Sequence, residues 1–197
     1  MVEEVEIEAL DSLLQDFAAR AKKALLTKDY DYAIETLHFL LSKEPGCLAL
    51  RVLLEEAREK QLSQKGVTRR WRDKLVGVTH WGWFLLFWKK KPYKALAVLE
   101  RLRDAFPENL YYTRRLGKLA QMLGLKTTAL HLYETVCDQE PSHVEGLLDL
   151  AEAWLASGHV ENAQKVALKA YRFAPGNIRA EIVAQRVTVA AMARVEA

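Results

Sequence analysis

Three residues capable of chemistry stand at even spacing: His131, Cys137 and His143 are six positions apart. An imidazole–thiolate–imidazole set could ligate a soft metal or activate a sulfur nucleophile. On a helix, however, six residues turn the chain by about 600°, so His131 and Cys137 face away from each other. Pro141 then breaks the helix before His143. The remaining histidines, His38, His80 and His159, are scattered, and Cys47 is far from Cys137. The chain has no glycine-rich phosphate loop, no nucleophile elbow and no histidine pair on one helical face beside a carboxylate. The expectation is therefore no catalytic residue, no metal and no cofactor, with both cysteines acting as small apolar helix residues. Two isolated cysteines fit a reducing compartment. Met1 to Asp11 is acidic where an export signal would be basic and then apolar. The expected location is cytoplasmic.

The elements that hold these residues are helical by composition. Of 197 residues, Ala, Leu, Glu, Lys and Arg make up 104, while Gly and Pro total only 14. Strong helix formers at over half the chain, with so few turn residues, exclude an all-β fold and a low-complexity chain.

The organisation is carried by the prolines. Pro107, Pro141 and Pro175 are 34 residues apart, and an alanine precedes each by twelve: Ala95, Ala129 and Ala163. Ala33 stands twelve before Pro45 in the same way. Each unit that such a proline closes holds two amphipathic stretches of roughly 14 residues, which predicts a helical hairpin. Gly124 and Gly158 mark the end of the first helix in two of them, and Lys28-Asp29 takes that part in another. Small residues at Ala21, Gly117 and Ala151 allow the paired backbones to approach, with Phe17, Leu37, Leu116, Tyr133, Leu150 and Trp154 filling the space around them.

In these residues the chain resembles the tetratricopeptide repeat family, whose pattern is W-x2-L-G-x2-Y, then A-x3-F, then P. Residues 144–177 read Leu147-x2-Leu150-Ala151-x2-Trp154, Ala163-x3-Ala167, Pro175; residues 110–143 read Thr113-x2-Leu116-Gly117-x2-Ala120, Ala129-x3-Tyr133, Pro141; residues 14–47 read Phe17-x2-Arg20-Ala21-x2-Ala24, Ala33-x3-Leu37, Pro45. The resemblance implies an all-α, right-handed α-solenoid of helix-turn-helix repeats at about 14–47, 48–109, 110–143 and 144–177. A helical extension is expected at 1–13 and a capping helix at 178–197, with Asn177 as its cap and Ile178, Ile182, Val183 and Val187 on one face. In proteins of this kind the first helix of each repeat lines a concave groove that holds a partner segment. Transferred here, the groove comprises Gln15, Ala18, Ala19 and Lys22, then Tyr111, Arg114, Arg115 and Lys118, then Glu145, Asp149 and Glu152. It is expected to be basic in its middle and acidic toward its C-terminal end, matching a protein or peptide partner with acidic residues. The asparagines that clamp a terminal carboxylate in some family members are absent from it.

The second repeat is interrupted. Pro45 and Pro107 are 62 residues apart, 28 more than one repeat. Of two candidate helices, Cys47–Leu62 and Arg69–Trp88, the first follows Pro45-Gly46 as the other first helices follow their prolines, which puts the insertion at 63–91. Four of the five tryptophans lie there, Trp71, Trp81, Trp83 and Trp88, together with Phe84 and Phe87. Leu75 to Trp88 carries no charged residue, while Arg69-Arg70-Trp71-Arg72 precedes it and Lys89-Lys90-Lys91 follows it. Cationic flanks around an aromatic centre suit a lipid headgroup layer; a helix buried in its own chain, or in a homodimer partner, fits the same residues. Fourteen residues of helix reach about 21 Å, short of the roughly 30 Å hydrocarbon core, which disfavours a full crossing. Nucleic acid is disfavoured too, because the cations flank the aromatic block and do not interleave with it. Two functional readings follow: a non-catalytic scaffold that binds a partner in its groove, and a peripheral membrane protein attached through 63–91 at the inner face of a membrane.

Overall fold

A computed structural model describes residues 3–64, 92–107 and 109–195. Among the described residues there are nine α-helices and no strand: α1 (Ser12–Leu26), α2 (Tyr30–Lys43), α3 (Leu48–Gln64), α4 (Pro92–Ala105), α5 (Leu110–Met122), α6 (Lys126–Gln139), α7 (Val144–Ala156), α8 (Val160–Phe173) and α9 (Ile178–Val195). They fall into two compact units, residues 1–112 with 123–125, and residues 113–122 with 126–197.

The turns between paired helices follow from backbone sterics. Gly124 and Gly158 sit at φ +85° and +81°, the left-handed region where a side chain is strained. Lys28 takes the equivalent place at φ 63°, the one non-glycine residue with positive φ among the described residues. Asp29, next in sequence, then accepts a hydrogen bond from the Tyr32 amide at 3.3 Å and caps α2. Asn177 caps α9, its Oδ1 accepting from the amides of Arg179 at 2.9 Å and Ala180 at 3.2 Å. His143 does the same for α7, its Nδ1 accepting from the Gly146 amide at 2.9 Å. That bond accounts for one histidine of the evenly spaced trio.

In the first unit, α1, α2 and α3 close over a core of Ala21, Ala33, Leu37, Leu40, Leu50 and Leu54, all fully buried. Residues 3–11 differ from the helical extension expected at 1–13. They contain one 3-10 turn, Ile7–Ala9, and the Val5 amide donates to the Gly46 carbonyl at 3.3 Å. Val5, Ile7 and Leu10 all lie against the core, although a straight α-helix would turn Val5 away from the side shared by Ile7 and Leu10. α3 continues through Ser63 and Gln64, which the sequence assigned to the insertion. The rest of the insertion lies outside the described residues, including Trp71, Trp81, Trp83, Phe84, Phe87, Trp88, Lys89, Lys90 and Lys91.

α3 and α4 are tied by charges. Arg51 Nε donates to Glu100 Oε1 at 2.7 Å with both side chains 1% exposed. Arg58 Nη2 reaches the other Glu100 oxygen at 3.0 Å, and Arg103 reaches Glu55 at 2.6 Å. Asp104 bonds both Arg58 and His38 of α2. Glu55 stands where the repeat pattern asks for a small residue, and the pairing with Arg103 accommodates it.

In the second unit, Gly117 shows why the pattern needs a small residue. A Cβ there would lie 2.7 Å from Cε1 of Tyr133, a ring that is fully buried. Ala129, Ala151 and Ala163 are buried in the same manner. The core continues through Leu147, Leu148, Ala167 and Ala170 to Ala180, Val183 and Val187 of α9. Here the expected single apolar face of α9 divides in two: Val183 and Val187 are buried, whereas Ile178 and Ile182 are 74% and 48% exposed. At 100° per residue these pairs lie about 140° apart around the helix, so one packing surface cannot cover both.

Candidate functional site

Within the second unit the first helices of successive pairs are α5 from Thr113 onward, α7 and then α9. Arg114 and Lys118 are one turn apart on α5, Glu145, Asp149 and Glu152 follow at i, i+4 and i+7 on α7, and Arg179 and Arg186 stand seven apart on α9. These spacings put each set on one stripe of its helix.

The stripes interlock around Asp149. Its side chain is 2% exposed, accepting from Arg114 Nε at 2.5 Å and from Arg179 Nη2 at 2.6 Å. Glu145 Oε2 accepts from Arg114 Nη2 at 2.7 Å and from Arg179 Nη1 at 2.6 Å. Glu152 Oε2 takes a further bond from Arg179 Nη2 at 2.8 Å. Lys118 Nζ lies 3.4 Å from Asp149, and Arg186 lies 3.7 Å from Glu152. Burial alone would weaken the Arg179 charge, but its bonds to Asp149 and Glu152 more than offset this and raise its pKa above the ordinary arginine value. Burial, with Asp149 adding to it, also raises the Tyr133 phenol. Tyr133 donates to Gln121 Oε1 at 3.1 Å. Beside the network is a cavity of about 310 Å³, bordered by Lys118, Gln121, Met122, Tyr133, Asp149, Glu152 and Arg179. Arg179, Lys118, Glu152 and Glu145 remain 31–41% exposed, so their outward faces can exchange bonds with a visiting chain.

Of the residues the sequence placed in a groove, the second unit brings Arg114, Lys118, Glu145, Asp149 and Glu152 into this one network. Arg115 is on the same helix and exposed. Lys22 and Tyr111 belong to the first unit, Lys22 exposed on α1 and Tyr111 40% exposed, edge-on to Tyr112 at 5.6 Å. The expected division into a basic middle and an acidic end is not what the charges form here. Arg114 and Lys118 are engaged by the carboxylates of α7, because cations at i, i+4 face acids at the same spacing on the neighbouring helix.

Sequence reasoning missed Arg179 and Arg186. The signal was present: Arg179 lies 34 residues after Glu145 and Arg186 lies 34 after Glu152. The repeat register therefore runs into the helix that was read only as a cap.

No group of His, Cys, Asp and Glu able to hold a metal occurs among the described residues, nor does any described helix have the length and apolarity to cross a membrane. No protein-family model and no curated protein matches the chain. Solved structures do. The first TPR of Spaghetti (RPAP3), bound to the HSP90 peptide SRMEEVD, is 16% identical over 64% of this chain and 96% of that one, with a TM-score of 0.51. The MamA protein is 15% identical over 93% and 85% of the two chains at 0.48. A thermophilic TPR protein from Thermus thermophilus is 21% identical over 87% and 78% at 0.45. The chain is an all-α protein with the tetratricopeptide-type fold.

Proposed function

We propose that the chain is a non-catalytic interaction module that takes a partner segment along the first-helix face of its second unit, α5 from Thr113, α7 and α9. The observation that carries this reading is the half-exposed ion network beside a 310 Å³ cavity. The network offers donors and acceptors already held in place, so a partner forms its bonds with little ordering of the receiving surface. A segment of mixed charge fits best. Its carboxylates meet Lys118 and Arg115, and an apolar side chain enters beside Met122, which is 68% exposed. A similar fold supports the mode of action, since the Spaghetti domain holds a peptide with two glutamates and a terminal Asp. A cytoplasmic setting is part of the proposal and is supported by two free cysteines.

The test is affinity capture from native extract with membranes retained. Arg115→Glu together with Lys118→Glu should weaken capture of the principal partner by about tenfold, equal to about 1.4 kcal/mol, with helicity unchanged. Arg114 is left intact in this test because it holds Asp149. An unchanged capture profile overturns the assignment of this face.

The second reading, attachment to a bilayer through 63–91, is supported by the four tryptophans and the flanking cations of that segment. Co-sedimentation with anionic vesicles tests it. Equal pelleting of the full chain and a chain lacking 65–91 eliminates it.

A further inference from the structure

The second apolar face of α9 is a seam. Ile178, Ile182, Gln185, Val189 and Met192 follow one another at spacings of four, three, four and three, the heptad rhythm of paired helices. Ile178, Ile182, Val189 and Met192 are 74%, 48%, 66% and 63% exposed, and Gln185 between them is exposed as well. The opposite side of the helix, through Ala180, Val183 and Val187, is packed into the unit's own core. α9 therefore shows solvent a continuous apolar stripe with one polar break.

We infer that a second copy of this chain packs along this seam, α9 against α9 in parallel about a two-fold axis. The charges beside the stripe select both the occupant and its direction. Glu181 flanks one edge and Arg186 the other, five residues on. In a parallel pair of identical helices, a residue on the first edge faces the residue five positions later on the second, so Glu181 meets Arg186 of the other copy twice. An antiparallel pair centred on Gln185 instead brings the two Arg186 side chains together, which is repulsive. Arg186 is 61% exposed, approaches Glu152 of its own chain at 3.7 Å, and is free to swing to this pairing. Gln185 falls at the centre, opposite its own copy, where its amide can both donate and accept and so fixes the register. The helix is already folded on its unit, so pairing costs no ordering of the backbone. Two heptads bury less than the roughly 1,200 Å² at which standard interfaces begin, so the dimer is weak and depends on concentration.

Sedimentation velocity of the full chain from about 1 to about 200 µM reads it directly. The expected result is a mass rising from monomer toward dimer. Ile182→Glu with Val189→Glu, both at exposed sites that leave the fold intact, should weaken association by about tenfold or more. Glu181→Arg alone and Arg186→Glu alone should each weaken it, and the two combined should restore it, since the pair is then reversed and still complementary. Met192→Cys should cross-link under mild oxidation, because a parallel pair sets residue 192 against its own copy. A chain that stays monomeric across the range overturns the inference. So does a dimer indifferent to the seam substitutions but lost on removal of 65–91, which would place the contact in the insertion. Failure of the charge swap to rescue, or of Met192→Cys to cross-link, rejects the parallel pair.

Discussion

Both units use ion networks to join their helices, but one network is sealed and the other is open. In the first unit Arg51 and Glu100 are each 1% exposed, and Arg58 is 11% exposed. In the second unit only Asp149 is sealed, at 2%, while Arg179 and Glu145 keep 32% and 41% of their side chains in solvent. A sealed pair fixes which helix packs against which, because either charge without the other is intolerable in a core. An open network keeps some of that specificity and leaves bonds exchangeable with water or a partner. The sealed one joins α3 to α4, which flank the long segment outside the described residues, where chain connectivity helps pairing least. The open one lies on the face proposed to bind.

The contrast breaks most visibly at Glu100. Glu100→Gln removes the carboxylate charge that Arg51 and Arg58 share in the core, and the unfolding free energy of the first unit should fall by about 3–5 kcal/mol in urea denaturation followed by circular dichroism. Replacing both partners, Arg51→Met with Glu100→Leu, should recover part of that loss, because the two most buried charges are removed together while Arg58 keeps Asp104. Asp149→Asn is expected to cost the second unit less, about 1–3 kcal/mol, since Arg179 can turn to Glu145, Glu152 and water. Equal losses at the two sites would erase the distinction between sealed and open.

Acid sharpens the comparison. Burial alone would raise the Glu100 and Asp104 carboxyls, but the arginines around them prevail, with His38 also acting on Asp104, and both titrate below the usual carboxylate range. A group whose pKa is depressed on folding stabilises above its unfolded value, near 4, and that contribution is lost as pH falls through the folded value. The first unit should therefore hold its helicity from pH 7 to about 4 and lose stability progressively below it. In Glu100→Gln that acid-sensitive loss should shrink, with a lower plateau at neutral pH. A profile identical to the parent's would mean that Glu100 is not the group being titrated.

The sequence made the hairpins legible because steric demands repeat with them: the small residues at Ala21, Gly117 and Ala151, the left-handed turns at Lys28, Gly124 and Gly158, and the spaced prolines are local signals. Which charges would be buried was not legible. Arg51 and Glu100 are 49 positions apart and carry no pattern of their own, so their pairing emerges only once α3 and α4 pack. His38 is similar, an ordinary helix residue until Asp104 meets it. The groove residues lie between these cases. Their positions on α5 and α7 were readable from the repeat, but their mutual neutralisation was not, and Arg179 was readable only by carrying the period one unit further. On α9 the apolar residues were all visible, yet their division into a packed face and an exposed seam depends on a rotation that composition does not reveal.

The smallest effect separates the two networks most cleanly. Lys118 lies 3.4 Å from Asp149 with 38% of its side chain exposed, so water and salt screen the pair and its long stem gains little by being held. Lys118→Met should change the stability of the second unit by less than about 0.5 kcal/mol. Arg51→Met, the same deletion of a cation from the sealed network, leaves Glu100 with Arg58 as its direct ion-pair partner and should cost several times more. If Lys118→Met instead destabilised the unit as much as Arg51→Met destabilises its own, Lys118 would be a structural member of the network. The face proposed for binding would then have to draw its exchangeable cations from Arg115 and Arg186.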